Sequence, residues 1–324
     1  MTSYRDAGVD LDAAERHNQS IAHSVTSTWT ADVVGGFGGF AAGVRIPPGY
    51  GAPVLMMSTD GVGTKLEVAR RAGLWEGVGF DLVAMCVDDL AAAGARPIGL
   101  VDYMAVGALH PMRDQTIVES IAAACNVAGC PLLGGETAEH PGVMDSDTVD
   151  LAGAVVGVVE ESQILGAQRV EAGDAVIGLS SPNLRSNGFS LVRRILGDEV
   201  VDHARTLLDP SVIYAPAVLE AAERSDVHAG AHVTGGGIAG NLGRVLPDGL
   251  GAVIDTNRWE RPAIFDVIAS RGVTEEEMRK TFNLGIGFCL VVPEDATDEV
   301  LEATETHAPA VIGVVREGDG VELR

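Results

Sequence analysis

A glycine-rich segment that carries both an acidic and a basic side chain is the first candidate site in this chain. It reads STDGVGTK at residues 58–65, and its lysine is one of only two in the sequence. An aspartate suits Mg²⁺, whereas glycine N–H groups and a lysine suit phosphate oxygens, so the segment predicts a metal–nucleotide site. It does not satisfy the Walker A spacing, and an exposed hairpin turn is the alternative interpretation. The residues concerned are Asp60, Gly61, Gly63, Thr64 and Lys65.

Two further acidic segments could complete such a site. Asp88 and Asp89 are adjacent within an apolar helical stretch. Because neighbouring helical positions diverge by about 100°, at least one of these carboxylates must face the core or a site. Glu136 follows a short apolar strand and two glycines in LLGGETAEHPG, residues 132–142. Hard cations collect oxygen ligands from separate loops, so the three segments together predict one Mg²⁺ site, although a helix end and a surface loop remain alternatives.

The second half of the chain offers a glycine-rich segment and a polar loop. Residues 235–240 match GxGxxG at the start of a predicted helix, which favours phosphate binding. The preceding segment is a poor central strand and too few residues follow, so we do not predict a dinucleotide-binding domain. Arg185 and Asn187 are available for substrate contact, although an ordinary strand-to-helix loop fits them equally well. We expect His232, just before the glycines, to be structural.

Apolar periodicity places these segments at the ends of strands and helices. It predicts strands at 53–58, 97–106, 131–135, 149–159, 174–180, 282–292 and 308–315, a short strand ending at 232–234, and helices at 79–93, 114–128, from 188 and at 295–306. Neither half shows the alternation of a doubly wound parallel sheet, so we expect mixed α and β structure. The polar stretch 160–174 predicts a domain boundary at about residue 165.

Composition limits the class of protein. A chain of 324 residues exceeds the usual size of one hydrophobic core, so we expect two domains. The net charge of −24 disfavours binding to nucleic acid or to anionic membranes. The four cysteines form no CxxC pair and indicate buried thiols in a reducing cytoplasm. We find neither a signal peptide nor a long apolar stretch, so we expect a cytoplasmic protein.

The order of the motifs resembles the aminoimidazole ribonucleotide (AIR) synthetase family, the phosphoribosylformylglycinamidine cyclo-ligases of the AIR synthase superfamily. The resemblance runs from about residue 4 to 292 through YRDAGVDLDA, GGFGG, STDGVGTK, DLVAMCVDDLAAAGARP, DYMAVG, GGETAEHPG, SNGFSLVRRIL and HVTGGGIAGNLGRVLP. It implies an α+β fold of two domains, residues 1–165 and 166–324, each a mixed β-sheet with helices packed on one face. It also implies a homodimer whose N-terminal sheets join.

The resemblance further implies an activity and a set of site residues. The reaction is ATP-dependent closure of formylglycinamidine ribonucleotide to 5-aminoimidazole ribonucleotide, with release of ADP and phosphate, in purine biosynthesis. The implied catalytic residues are Asp60, Lys65 and Asp89, and the implied Mg²⁺ ligands are Asp60, Asp88, Asp89 and Glu136. The implied ATP-binding residues are Gly61, Gly63, Thr64, Glu136, Thr137, Gly235, Gly236 and Gly237. The implied substrate-binding residues are Arg185, Asn187 and Thr234.

The chain departs from the family pattern at three places. Asp88 stands where many relatives have asparagine, Arg185 where many have histidine, and Ile21-Ala22 where the family often has a lysine. Sister families fit less well. Selenophosphate synthetase needs an N-terminal cysteine, the hydrogenase maturation relative needs a C-terminal one, and thiamine-monophosphate kinase lacks DAGVD and GGFGG at these places. Another ATP-using member of the superfamily, or a catalytically silent subunit that senses nucleotides, is the alternative function.

Overall fold

The computed structural model describes residues 8–324, and its N-terminal half is built on a four-stranded sheet. Its elements are α1 (Leu11–Thr26), β1 (Val33–Val34), β2 (Gly43–Val44), β3 (Pro53–Gly61), α2 (Lys65–Ala72), α3 (Val78–Ala92), β4 (Arg96–Val106), α4 (Pro111–Ala128), β5 (Leu132–Glu139) and β6 (Val149–Glu160). The sheet has the order β3-β6-β4-β5, in which only β4 and β5 pair in parallel. The helix α4 ends at Gly129, whose φ of 64° is a conformation that glycine adopts without strain.

One face of this sheet is covered and the other is open. Helices α3 and α4 pack against each other and bury Leu82, Met85 and Ile121. On the opposite face, alternate side chains of β3 and β4 remain exposed, among them Leu55, Met57, Val101 and Tyr103. An apolar sheet face that stays in water is unusual in a complete assembly.

The C-terminal half is built on a six-stranded sheet of order β12-β9-β11-β7-β10-β8. Its elements are β7 (Ala175–Ser180), α5 (Phe189–Leu196), α6 (Ala204–Leu207), α7 (Ala215–Arg224), β8 (Ala229–His232), α8 (Gly237–Leu242), β9 (Leu250–Ile254), α9 (Ile264–Ser270), α10 (Glu275–Thr281), β10 (Ile286–Val292), α11 (Thr297–Ala303), β11 (Ala310–Glu317) and β12 (Gly320–Leu323). All pairs are antiparallel except β9 and β12. Every residue of β10 is buried, so this strand is covered on both faces.

The mixed sheets confirm the expected α+β architecture, and each strand and helix predicted from periodicity has a counterpart. The short strands β1, β2, β9 and β12 and the helices α1, α2, α6, α7, α9 and α10 were not predicted from periodicity. The boundary at about residue 165 stays a prediction, and it falls in the connection between β6 and β7.

The prediction of buried thiols is confirmed, because all four cysteines are free and buried. Burial raises the pKa of Cys86, Cys130 and Cys289 to about 12. Within residues 8–324, no helix combines the length and apolarity needed to cross a membrane.

Candidate functional site

Asp60 and Asp89 lie beside each other where the end of β3 meets helix α3. Asp60 is exposed, and Gly61 N donates a 2.7 Å hydrogen bond to its Oδ1. Burial of part of the side chain raises the pKa of Asp60, and the negative charge of Asp89 raises it further. Two neighbouring carboxylates with exposed oxygen atoms are suited to a hard divalent cation.

Asp89 is held in place by two hydrogen bonds. Ser58 Oγ donates to Asp89 Oδ2 at 2.9 Å, and His232 Nδ1 lies 2.9 Å from Asp89 Oδ1. Burial raises the pKa of Asp89, but these hydrogen bonds outweigh it and the pKa is lowered overall. The Asp89 side chain is still 42% exposed, so it remains ionised and accessible.

His232 is a site residue that sequence reasoning missed. We expected a structural role, but its ring joins the C-terminal half to Asp89, and it stacks on Phe288 at 6.2 Å between centroids. Its Nε2 has no hydrogen-bond partner within residues 8–324. The available signal was its position at the end of a strand, directly before a glycine-rich turn.

The glycine triplet and the polar loop of the C-terminal half lie side by side. A Cβ atom on Gly235 would be 3.7 Å from Asn187 Oδ1, and Asn187 Nδ2 contacts Met85 of α3 at 3.8 Å. Gly236 has a φ of 103°. Gly237, also at positive φ, packs so closely that a Cβ would lie 2.0 Å from Arg279 O. Gly236 and Gly237 thus adopt backbone conformations that favour glycine, and the backbone of Gly235 and Gly236 is accessible.

Asn241 organises the turn that contains Thr234. Its Nδ2 bonds to the carbonyl oxygens of Thr234, Gly235 and Gly237 at 3.3, 3.3 and 2.8 Å. Thr64, which follows β3, has its Oγ1 3.0 Å from Ser190 Oγ of α5. The loops after β3, β7 and β8 are therefore neighbours, and the surface that they form between the two halves, together with Asp60 and Asp89, is called the cleft.

Lys65 does not face this cleft, and the prediction that it meets phosphate oxygens is wrong. Its Nζ is buried and donates to Asp81 Oδ1 at 2.8 Å and to the carbonyl oxygens of Arg185 and Asp209 at 3.1 and 3.3 Å. The ammonium group has three donors, and all three are used. Lys65 is thus a buried tie between the two halves of the chain.

Asp88 and Arg185 are also buried, and they contact each other. Arg185 Nη2 donates to Asp88 Oδ2 at 2.5 Å, and neither side chain is exposed. The predictions of Asp88 as a metal ligand and of Arg185 as a substrate contact are therefore wrong, because a ligand cannot reach either group. Two of the three departures from the family pattern are thus partners of one another.

Glu136 lies too far from Asp60 to share a metal ion with it in one chain. The strand register aligns Asp60 with Gly153, Gly153 with Asp102, and Asp102 with Gly135, the neighbour of Glu136. Three strand spacings separate the ends of this row, which amounts to about 14 Å. Within the described part of the chain, no three metal-ligating side chains come together. The prediction of one site from all four carboxylates is therefore wrong for a single chain.

Glu136 and Thr137 line a separate cavity of about 550 Å³ under the glycine-rich loop at 36–42. Thr137 Oγ1 lies 3.2 Å from Nε2 of the buried His17 of α1. Asp102 also lines this cavity, and burial raises its pKa to about 7. Asp102 was not predicted, although it is a lone acidic residue within the apolar strand β4.

The chain matches two protein-family descriptions that together span most of its length. "AIR synthase related protein, N-terminal domain" matches residues 38–159, and "AIR synthase related protein, C-terminal domain" matches residues 171–324. The matches bear out the resemblance found in the motifs.

Curated relatives are similar along almost the whole chain. The phosphoribosylformylglycinamidine cyclo-ligase of Parasynechococcus marenigrum (strain WH8102) is 46% identical, with 98% of each chain covered. The enzyme of the same name from Sorangium cellulosum (strain So ce56) is 48% identical over 93% of this chain and 91% of its own. Among solved structures, the hydrogenase maturation protein HypE in complex with ATP has a TM-score of 0.66 at 17% identity, covering 96% of this chain and 89% of that one. The likeness to HypE concerns the fold alone. The two cyclo-ligase relatives and the two domain matches together show that this chain belongs to the AIR synthase family.

Proposed function

We propose that the chain closes the imidazole ring of 5-aminoimidazole ribonucleotide from formylglycinamidine ribonucleotide, using ATP and releasing ADP and phosphate. The observation that carries this proposal is the neighbouring pair of carboxylates Asp60 and Asp89, together with the contact of Asp89 with His232, three residues before the glycine turn at 235–237. The names of the curated relatives support the reaction, and the ATP bound in the HypE structure supports ATP as the nucleotide.

The chemistry requires activation of a poor electrophile. Transfer of the γ-phosphoryl group to the formyl oxygen gives an iminophosphate and ADP. The amidine nitrogen then attacks the same carbon, and phosphate leaves with that oxygen as the ring closes. The protein's tasks are to align the two reactants and to hold negative charge in place during transfer.

The carboxylates of the cleft fit a magnesium ion. Mg²⁺ in nucleotide sites usually takes one or two carboxylates and completes its shell with phosphate oxygens and water. Asp60 and Asp89 supply that number, and the pKa of Asp89 is held low by His232 and Ser58. When bound, the ion would neutralise charge on the phosphates of ATP. Asn187, Thr234 and the N–H groups of Gly235 and Gly236 would contact phosphate or substrate.

We also propose that the chain is a homodimer whose N-terminal sheets face each other. The open sheet face exposes Met57 at 78% and Leu55 at 51%, and these apolar side chains require a cover. A two-fold axis parallel to the strands would set the β3 edge of one chain opposite the β5 edge of the other. Because Asp60 and Gly135 lie on one cross-strand row, Asp60 would then be level with Glu136 of the partner subunit.

The setting that we propose for this dimer is the cytoplasm. Four free, buried thiols and a role in purine synthesis support a reducing compartment.

The deciding assay of function combines the purified chain with formylglycinamidine ribonucleotide, ATP and Mg²⁺. We expect aminoimidazole ribonucleotide and ADP in equal amounts. Folded protein that forms neither product would contradict the enzyme proposal and favour a silent subunit. ADP without the cyclised product would favour another ATP-using member of the superfamily.

The dimer is tested by Met57→Asp, which places a charge on the open sheet face. We expect the mass measured by light scattering to fall from that of two chains to one, with loss of activity. Met112→Asp is the matched control, because Met112 is 80% exposed on α4 and should leave the mass unchanged. A Met57→Asp chain that stays dimeric would contradict the proposed interface.

A further inference from the structure

Asp88 is the centre of a buried cluster that joins helix α3 to the C-terminal half. Its Oδ2 accepts from Arg185 Nη2 at 2.5 Å. Its Oδ1 accepts from the backbone N–H groups of Tyr214 and Ala215, at 2.8 and 2.9 Å, where α7 begins. Both carboxylate oxygens are therefore used within the protein, and Asp88 acts as the N-terminal cap of a helix in the other half.

Arg185 is held as firmly as its partner. Its guanidinium lies 4.8 Å from the ring centre of Tyr214 and also donates to Val212 O at 2.9 Å and to Gly287 O at 3.3 Å. Its backbone has a φ of 59°, a left-handed conformation that costs energy for a residue other than glycine. The surrounding contacts must offset this strain, so they fix both the position and the direction of the guanidinium.

The residue that follows Asp88 in α3 belongs to the cleft. Asp89 is turned from Asp88 by about 100° around the helix axis, and this angle points it toward Ser58 and His232. Because the two residues share one rigid helical backbone, the contacts of Asp88, with those of Asp81 on the same face, help to fix the rotation of α3 and hence the direction of the Asp89 carboxylate. A shift of about 1 Å at a reacting centre can cost about 100-fold in rate.

We propose that Arg185 and Asp88 are a matched positioning pair, which holds α3 so that Asp89 faces the metal–nucleotide site. Neither residue touches substrate. The inference rests on the function proposed above, since it assigns a purpose to the direction of Asp89. Removal of one member leaves the other as a buried charge without its partner, whereas removal of both leaves none.

The test compares Asp88→Asn, Arg185→Met and the double variant in the full-length protein. We expect Arg185→Met to lower kcat by about 100-fold and to raise the Mg²⁺ concentration for half-maximal activity. The double variant should recover to within about 10-fold of the parent chain, because no unpaired charge remains. A merely structural tie would lower the folded fraction and leave the Mg²⁺ requirement of the folded molecules unchanged.

A second readout needs no catalysis. Hydrogen exchange of the α3 amides, measured by mass spectrometry, should speed up in both single variants and return toward the parent rate in the double variant. Helix α9, which makes no hydrogen bond or ion pair with Asp88 or Arg185 among the described residues, is the internal reference, and its exchange should not change. If the parent chain forms no product, the proposed function fails, while this exchange experiment still tests whether the pair holds α3.

The matched control is the exposed ion pair between Arg261 and Glu275, whose atoms lie 2.8 Å apart. Arg261→Met, Glu275→Gln and their double variant should change kcat by less than about 3-fold and leave the Mg²⁺ requirement as it is. Two outcomes would overturn the proposal: single variants that keep the parent kcat, Mg²⁺ requirement and α3 exchange, or a double variant no better than the worse single. If Arg185→Met does not fold, Asp88→Asn is compared with the double variant. Adding Arg185→Met to Asp88→Asn must then restore activity and α3 exchange rather than worsen them.

Discussion

The two faces of helix α3 carry carboxylates in opposite circumstances. On the face toward the C-terminal half, Asp81 and Asp88 are fully buried and are bonded to Lys65, Arg185 and backbone or hydroxyl donors. On the face toward the cleft, Asp89 is 42% exposed and lies beside Asp60. The comparison teaches that the partners supplied by the rest of the chain decide whether a carboxylate can accept an external cation.

The largest effect should come from Lys65→Met, which removes the cation that pairs with Asp81 on the buried face of α3. This change leaves the Asp81 carboxylate buried without its cation and should lower the free energy of unfolding by about 3–5 kcal/mol. Burial already raises the pKa of Asp81, so the carboxyl takes up a proton readily on acidification. Lys65 lowers this pKa, so its removal raises the pKa of Asp81 further in the variant than in the parent. A group with a raised pKa in the folded state contributes stability at low pH that is lost as pH rises, so the deficit should be smaller at pH 5 than at pH 8.

Urea unfolding of the parent and variant at both pH values measures this deficit. Lys280→Met is the control, because Lys280 is exposed and pairs with Glu276 one turn away, and it should cost at most about 0.5 kcal/mol. A deficit equal at both pH values would contradict the role of an ionised Asp81.

Substitution of a carboxylate in the cleft should change the catalytic rate rather than the stability. Asp60→Asn removes a negative charge from the cleft and should lower kcat by at least ~100-fold at saturating Mg²⁺, equivalent to about 2.7 kcal/mol. Unfolding should change little because the side chain is exposed. Steady-state ADP release measures the effect, and a kcat close to that of the parent would remove Asp60 from the site.

A smaller effect is expected from His232→Gln, which weakens the link between the two halves at Asp89. Loss of a well-aligned hydrogen bond to a charged group should lower kcat/KM for ATP by about 10-fold. His228→Gln is the matched control, because His228 makes a comparable 2.7 Å contact with Asp174, away from the cleft, and should leave kcat/KM unchanged. Equal losses in both variants would indicate a general structural effect.

The smallest effect is expected from Ser58→Ala. Asp89 would lose one neutral donor but keep His232, so kcat/KM for ATP should fall by about 5-fold, or about 1 kcal/mol. Ser270→Ala on α9 removes a similar exposed hydroxyl, whose one bond among residues 8–324 is to Val267 O, and should have no effect on rate. A loss as large as that of Asp60→Asn would mean that Ser58 itself contacts ATP.

Local sequence patterns were sufficient for most elements of the fold and for part of the site. Runs of apolar residues located β3, α3 and β4, of which α3 and β4 are largely buried, and the glycine that ends α4 marked its C-terminus. The adjacency of Asp88 and Asp89 correctly indicated that at least one of these carboxylates would face the core or a site, since Asp88 is buried. Strands β9 and β12 were missed because they are only five and four residues long.

The assignments that failed depend on partners distant in the sequence. Lys65 looked like a phosphate ligand because nothing nearby indicates that Asp81 and the carbonyl of Asp209 would enclose its ammonium group. Asp88 and Asp89 are equivalent in local pattern, and only contacts with Arg185 and His232, about 100 or more residues away, distinguish them. Glu136 was grouped with Asp60 because strand order, which separates them, cannot be derived from strand positions alone.

The burial of Lys65 has a practical consequence for chemical modification. With Lys65 enclosed, Lys280 is the remaining lysine, and it is well exposed on α10 in the C-terminal half. Besides the α-amino group, an amine-reactive dye should therefore attach to native protein at this one side chain. Unfolding would expose the amine of Lys65 as well. The ratio of molecules labelled at both lysines to molecules labelled only at Lys280 therefore reports on opening of the interface between the two halves.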